Sequence, residues 1–540
     1  MTTSIVDVEY TAFFLADDFI LTWSTFRSGQ PDTKTRRYDR QLRLWAASGQ
    51  AALENARVLV ISATATATST LKNLVLPGVG HFTILDHRSV SPADVGNNFF
   101  LEGFSSLGKP RAQEAVRLLC ELNDGVEGRA DTSGLVGILV SDPFFLTTFD
   151  VVIAHNLPLV EFNALASILW NSKSKRHPTL AVVRSAGFIA EFYLQFREHA
   201  IIESHSDTAP SLRVDKPFPA LLEYATSLDF DAMDSTDHAH IPYVVILVRA
   251  LADWKAAHGG AAPKTYTEKN EFKAILRTMK KKFDEENFDE AEAQAYRCWT
   301  DSGIPSSVVA LFRDPRLERL TWESHDTFFH LVAALDKFTQ EPPYTLPLSS
   351  TLPDMKANTT SYIHLQNMYK KAAEEDKARF KSYLKVAVDD ATVDLFVKNC
   401  HAIQLLKGRK WGELDRDPQA LAKILAENPE GKELATHLAL SALAMYEDKH
   451  QREQIQPTVE DLTAEAQGLL PAGVALPEAF GAAVGEVVRS PTADLPNTAA
   501  FLGGLVAQEV IKMITKQYVP INGYCVVDMV DMWTGIVPSS

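Results

Sequence analysis

At 540 residues with 46% hydrophobic and 23% charged side chains, the chain is an ordinary globular protein of more than one structural unit. Its net charge of −16 argues against general nucleic-acid binding, which favours a basic surface, but tolerates a basic protein partner. No uninterrupted apolar run reaches about 18 residues, so no membrane span is expected.

Residues 1–30 read as an N-terminal extension. "YTAFFLADDFILTWSTF" is apolar but broken by Asp17 and Asp18, and no basic stretch precedes it, which argues against a cleaved signal. Residues 34–56 predict two short helices with Tyr38, Leu42 and Trp45 at helical spacing and Gly49 as a stop. "RVLVIS" from Arg57 is a buried strand, and Ser69 or Thr70 is the expected cap of a helix that buries Leu71, Leu74 and Val75. "PGVG" ends that helix and "HFTILD" is the second strand, closing on Asp86. A helix over 109–123, a strand over 149–155, a helix over 162–172 and two strands about Gly187 complete a β-α-β alternation. That alternation predicts an α/β fold with a mostly parallel, doubly wound sheet.

Beyond residue 204 helical patterns with charged faces dominate, punctuated by proline-rich breaks at 340–354 and 456–462. The charge run at 280–290 reads as a solvated helix end and turn. Residues 497–517 form a strongly apolar helix, followed by two short strands. Its residues Phe501, Leu502, Leu505, Val506, Val510, Ile511 and Ile514 cover most of the circumference, which predicts burial on several sides, and Gly503-Gly504 allows close packing.

The strand–loop–helix–strand of residues 57–86 has the layout of a nucleotide-binding half, yet the loop reads Ser62-Ala63-Thr64-Ala65-Thr66. Phosphate loops use glycine because some positions need φ > 0 and backbone N–H groups must approach phosphate oxygens without an intervening Cβ. The loop is therefore degraded, and this chain is expected to bind no nucleotide and no metal. Asp86 sits where such folds hold the ribose acid, although an Asp closing a strand is more often a turn residue.

Four scattered cysteines suit a reducing compartment and exclude a Cys-based zinc site. Cys298 and Cys400 lie in the helical region without an evident activating base or helix N-terminus, so they read as structural.

"YDRQLRLW" (38–45), the Ala-Thr loop, "VGNNFFL" (95–101), "GKPRA" (108–112), "LRVDKPFP" (212–219), "YIHLQN" (362–367) and "TAAFLGGLVAQEVIKMITKQ" (498–517) resemble the activating enzymes of ubiquitin-like modifiers. Within that superfamily the likeness is to the regulatory subunits of the neddylation (Nedd/Rub) activating enzymes, over roughly residues 34–540. It implies a Rossmann-like pseudo-adenylation domain (31–204 and 481–540) split by a large α-helical insertion (205–480) that lacks a transfer cysteine. It also implies a heterodimer in the cytoplasm and nucleus. The catalytic subunit would hold ATP and Mg, adenylate the Nedd/Rub modifier and form its thioester, while this chain supports it and helps hold the modifier; a stand-alone scaffold for modifiers is the alternative. Asp86 and Lys109 are then remnants of a lost site. His155-Asn156 stands near the metal aspartate of the catalytic half, and Asn98-Phe99 follows Asn97 where that half has its arginine. Matching "YDRQLRLW" gives Arg40 the role of an arginine delivered in trans to the partner's ATP site, with Arg43 as runner-up. Tyr38, Leu42, Trp45, Phe501, Gly503 and Gly504 are the interface candidates.

Overall fold

The computed structural model describes residues 32–173, 177–206, 210–324, 326–450 and 455–538, so the N-terminal extension lies outside it. The continuous apolar runs become strands: β1 (Arg57–Ile61), β2 (His81–Leu85), β3 (Glu127–Asp131), β4 (Val151–His155), β5 (Thr179–Ala186) and β6 (Ile189–Gln195). With β9 (Gly523–Asp528) and β10 (Trp533–Pro538) they form an eight-stranded sheet in the order β10-β9-β6-β5-β4-β1-β2-β3. The five strands from β3 to β5 run parallel; β6, β9 and β10 are antiparallel. Gly187, at φ 62°, makes the tight reversal between β5 and β6.

Helices cover both faces of the sheet, as parallel strands require. On one face Val58, Val60, Leu74, Leu119, Val506 and Val510 share a core, contributed by the helices Ala65–Val75, Arg111–Cys120 and Pro496–Thr515. On the other, Leu59, Val152, Phe162, Leu438 and Val484 pack beneath the helices Leu159–Asn171, Lys432–Lys449 and Phe480–Arg489. Against an expected insertion over 205–480, Trp411 and the helices that follow it share this sheet core, and two separate, mainly helical cores have their buried residues between Leu212 and Ile403. A two-stranded antiparallel ribbon of β7 (Glu198–Ile201) and β8 (Gln404–Lys407) forms the neck.

Several local expectations differ from the structure. Gly49 does not stop the first helix. Asp39–Glu54 runs through it, and the helix breaks instead at Trp45 and Ala46, with Gly49 leaving room for the Trp45 side chain. The helix after β1 starts at Ala65, not at Ser69 or Thr70, because the Thr64 hydroxyl accepts from Ala67 N; the Thr70 hydroxyl turns back to Thr66 O. Strand β3 was not anticipated: Glu-Gly-Arg-Ala-Asp is a polar edge strand without the apolar signature.

A buried polar cluster fastens the second face. Arg184 on β5 donates to Glu191 on β6 and to Ser441. His437 lies with Nδ1 2.9 Å from Glu191 and Nε2 2.8 Å from Asp415. Burial alone would depress the imidazole, but carboxylates on both ring nitrogens outweigh it and raise its pKa to about 9.

Two predictions follow from packing and charge. Gly503→Ala would bring a Cβ to 2.8–2.9 Å from Ser69, whereas the equivalent position on Gly504 is open. Thermal unfolding should show Gly503→Ala destabilised by about 1–3 kcal/mol and Gly504→Ala unchanged or stabilised by about 0.5–1 kcal/mol. Because the folded pKa of His437 is raised from 6.5 to about 9, its contribution is complete below pH 6.5 and is lost as pH rises through 9. Urea unfolding should show that decline in the wild type and a flatter profile in His437→Gln.

Candidate functional site

The Ala-Thr loop retains the backbone turn of a phosphate loop. Ser62 sits at φ 80°, a conformation that glycine adopts without strain and serine does not. From there the alternation divides the work. Ala63, Ala65 and Ala67 are buried in the core, and Thr64, Thr66 and Thr68 use their hydroxyls. Thr64 Oγ1 lies 2.7 Å from His155 Nδ1, and Thr68 Oγ1 donates to Asn98 Oδ1 at 2.9 Å. Thr66 donates from both its hydroxyl and its backbone N–H to the Asp494 carboxylate, at 2.6 and 3.1 Å. Asp494 thus places a negative charge at the N-terminus of the helix Ala65–Val75, where a phosphate would sit in a competent site.

The other contacts of a nucleotide are likewise taken. Asp86 accepts from Ala63 N at 2.8 Å, Arg88 N at 3.0 Å and Arg111 Nε at 2.7 Å. Arg111 also donates to Asp94 and to Ser62 Oγ, at 2.7 and 3.1 Å. Burial opposes the charge on this guanidinium, but Asp86 and Asp94 prevail and raise its pKa. For Asp94, burial pushes the carboxyl up, and hydrogen bonds from Ser91 with the Arg111 charge bring it below the usual range. Lys109 is outside this group: it is half-exposed and 3.7 Å from Glu114.

At the end of β4, His155 is fully buried, with Nε2 2.9 Å from Ser185 Oγ, and desolvation depresses its pKa. It is held neutral there. Asn156 exchanges two hydrogen bonds with the Ser185 backbone, both 2.9 Å. No carboxylate stands at these two positions to hold Mg. Asn98 donates to Ala63 O and accepts from Phe100 N, and so clamps the loop. A cleft of 540 Å³ remains between Asp86, Asn156, Glu161 and the helix Lys432–Lys449, lined by acids as well as by Arg88 and Arg184.

Arg40 is arranged differently. It projects from the first part of the helix Asp39–Glu54, is exposed, and has no ion-pair or hydrogen-bond partner among the described residues. Arg43 is paired with Asp39 at 3.1 Å. Tyr38 and Trp45 pack inside the chain: the Tyr38 hydroxyl accepts from Asn123 at 2.9 Å, and Trp45 Nε1 donates to Gln50 at 3.1 Å. Gly503 is also internal, against Ser69, while Leu42 and Gly504 are half-buried and Phe501 is exposed. Cys298 and Cys400 are buried in the helical cores; desolvation raises both thiols, Cys400 to about 12. Asp494 carries no local motif; Asn98 lies in "VGNNFFL" and Arg111 in "GKPRA", but neither motif signals the contacts the two side chains make.

Residues 38–155 match the ThiF family. Over 517 residues the chain is 37% identical to the NEDD8-activating enzyme E1 regulatory subunit of Xenopus laevis, covering 91% of this chain and 96% of that protein. The Drosophila melanogaster protein of the same name is 34% identical over 519 residues, covering 92% and 96%. That of Saccharomyces cerevisiae is 27% identical over 511 residues, covering 90% and 96%. Among solved structures, Escherichia coli tRNA N6-threonylcarbamoyladenosine dehydratase in complex with AMP is 13% identical, covers 29% of this chain and 62% of its own, and has a TM-score of 0.25, too slight a likeness to carry an argument.

A cleft in which Asp494 takes the phosphate position and Arg111 pairs with Asp86 should not take a triphosphate. Calorimetric titration of the isolated chain with ATP-Mg is expected to give no saturable heat up to about 1 mM. A one-to-one isotherm in the micromolar range would contradict the account of Asp494 and Arg111 given above.

Proposed function

We propose a division of labour for this chain, which belongs to the family of NEDD8-activating enzyme E1 regulatory subunits: its own nucleotide site is retired, and it serves the site of a partner. The partner is a separate catalytic subunit in a one-to-one heterodimer, acting in the cytoplasm and nucleus. That subunit binds ATP and Mg, adenylates the C-terminal glycine of the NEDD8 modifier and passes it to its own cysteine. The present chain binds no cofactor. It supplies structural support, part of the groove for the modifier, and Arg40 in trans.

The observation that supports this reading is the contrast between two arginines. Arg111 is buried and neutralised by Asp86 and Asp94. Arg40 is exposed and has no described partner, on a segment that resembles the one crossing to the partner's site in the superfamily. A planar guanidinium delivered there neutralises phosphate oxygens whose charge redistributes as pyrophosphate leaves, an interaction that is strongest in the transition state. An arginine that merely decorates a helix surface contributes almost nothing.

Arg40→Ala should slow adenylation while leaving the pair assembled. Arginine fingers contribute roughly a thousandfold or more in phosphoryl transfer; with metal and cationic contacts retained on the partner, the expected loss is on the order of ten- to a hundredfold. Arg40→Lys should recover only part, since an ammonium lacks the planar fork. Pyrophosphate exchange by the reconstituted pair at saturating modifier and varied ATP measures this, with gel filtration to confirm assembly. Wild-type rates and ATP affinity in an intact Arg40→Ala complex would remove the finger role and leave a scaffold.

A further inference from the structure

The helical segment that carries Arg40 is a stub. Backbone angles leave the helical region at Trp45 (φ −128°, ψ 20°) and Ala46 (φ 54°, ψ −176°), so Asp39–Leu44 is cut off from the rest of its helix. Six residues cannot hold a helix or its direction by themselves in water. The stub is therefore governed by what grips its ends. At the N-terminal end the grip is Tyr38, buried against Gly78 and bonded to Asn123.

At the C-terminal end the grip comes from the far end of the chain. Gln517 Nε2 donates to Trp45 O at 3.0 Å, and the Tyr518 hydroxyl donates to Leu44 O at 3.4 Å. These satisfy carbonyls that the break leaves without helical partners. Both residues belong to the turn after the helix Pro496–Thr515, where Lys516 and Tyr518 take left-handed φ values of 55° and 59°. Such values in bulky residues persist only where surrounding contacts impose them. Those contacts are with the neck of the helical insertion. Glu203 and Gln517 form a β-bridge, Tyr518 N donates to Glu203 O at 3.0 Å, and the His205 ring stacks on Tyr518 with centroids 4.0 Å apart. The second polar atom of the Gln517 amide, Oε1, lies 3.4 Å from His205 Nε2. Gln517 is 4% exposed, so its amide has no competing water-facing role.

We propose that Gln517 is a positioning residue for Arg40, holding the stub Asp39–Leu44 to the neck from which the helical insertion departs. The assignment rests on the reading of Arg40 as the arginine acting in trans. Its consequence is that the guanidinium is placed by a side-chain amide 477 residues away in sequence and that the neck and the finger share one anchor.

The test is a double-mutant cycle in the reconstituted pair, read by pyrophosphate exchange, together with hydrogen exchange over residues 39–45 in the isolated chain. Gln517→Met keeps the length and removes the donor. It should lower kcat about three- to tenfold with the complex intact, and cost less than about twofold when added to Arg40→Ala. Exchange of the stub amides should accelerate in Gln517→Met. If that variant assembles poorly, Gln517→Asn, which keeps the amide one methylene short, carries the same cycle with a smaller loss. Equal losses in the wild-type and Arg40→Ala backgrounds, or unchanged exchange over 39–45, would overturn the proposal. Should Arg40→Ala itself be silent, the finger reading fails, and the exchange measurement still decides whether Gln517 holds the stub.

Discussion

The carboxylate of Asp494 at the N-terminus of the helix Ala65–Val75 is the contact around which the nucleotide-like half is organised. A helix N-terminus directed into a cleft favours an anion, whether the anion is a ligand or a side chain. Here the chain supplies it internally, across 428 residues of sequence. The contact closes the phosphate position. It also delivers the chain to the helix Pro496–Thr515, which begins two residues later and packs along Ala65–Val75 with Gly503 against Ser69. Without an anion there, the cap on the Ala-Thr loop and the return of the C-terminal segment to the sheet would lose their common point.

What was legible in the sequence follows from the range of the forces involved. Strands β1, β2, β4, β5 and β6 announce themselves as apolar runs because helices bury both faces of this sheet. The apolar run of residues 497–517 foretold the helix but not its burial: Leu502, Val506 and Val510 are buried, Leu505, Ile511 and Ile514 are half-buried, and Phe501 is exposed. Short-range capping was misread, since Ser69 and Thr70 offered helix starts by residue type and only the tertiary context selects Thr64. The polar strands β3, β7 and β8 carry no periodic signal at all. At the site, glycine loss was visible in the residues themselves. The replacements were not: Arg111, Asn98 and Asp494 act through contacts that no local pattern records. Lys109 stood out by motif, but its side chain points to Glu114 at the surface while Arg111, two residues on, enters the cleft.

The two charged devices of the chain are built on opposite principles. Around Asp86 and Arg111 the charges are paired inside the protein, and desolvation makes such a group costly to disturb. Around Arg40 the protein leaves the guanidinium to solvent and instead fixes the backbone that bears it, from Tyr38 at one end and Gln517 at the other. The buried set stabilises this subunit; the exposed residue contributes nothing to it and is free for a partner.

The left-handed Ser62 gives the retired pocket a direction in evolutionary time. The turn geometry still suits glycine, so a single Ser62→Gly change would be conformationally easy. It would not by itself make a nucleotide site. The Asp494 carboxylate would still repel a phosphate, Arg111 would still occupy Asp86, and the buried His155 would still be held by Thr64 and Ser185. Each reversal alone strands a buried partner, because removing one member of a matched polar pair leaves the other desolvated. A nucleotide site here would therefore demand several substitutions at once, each harmful in isolation, so the pocket cannot be opened to a nucleotide one step at a time.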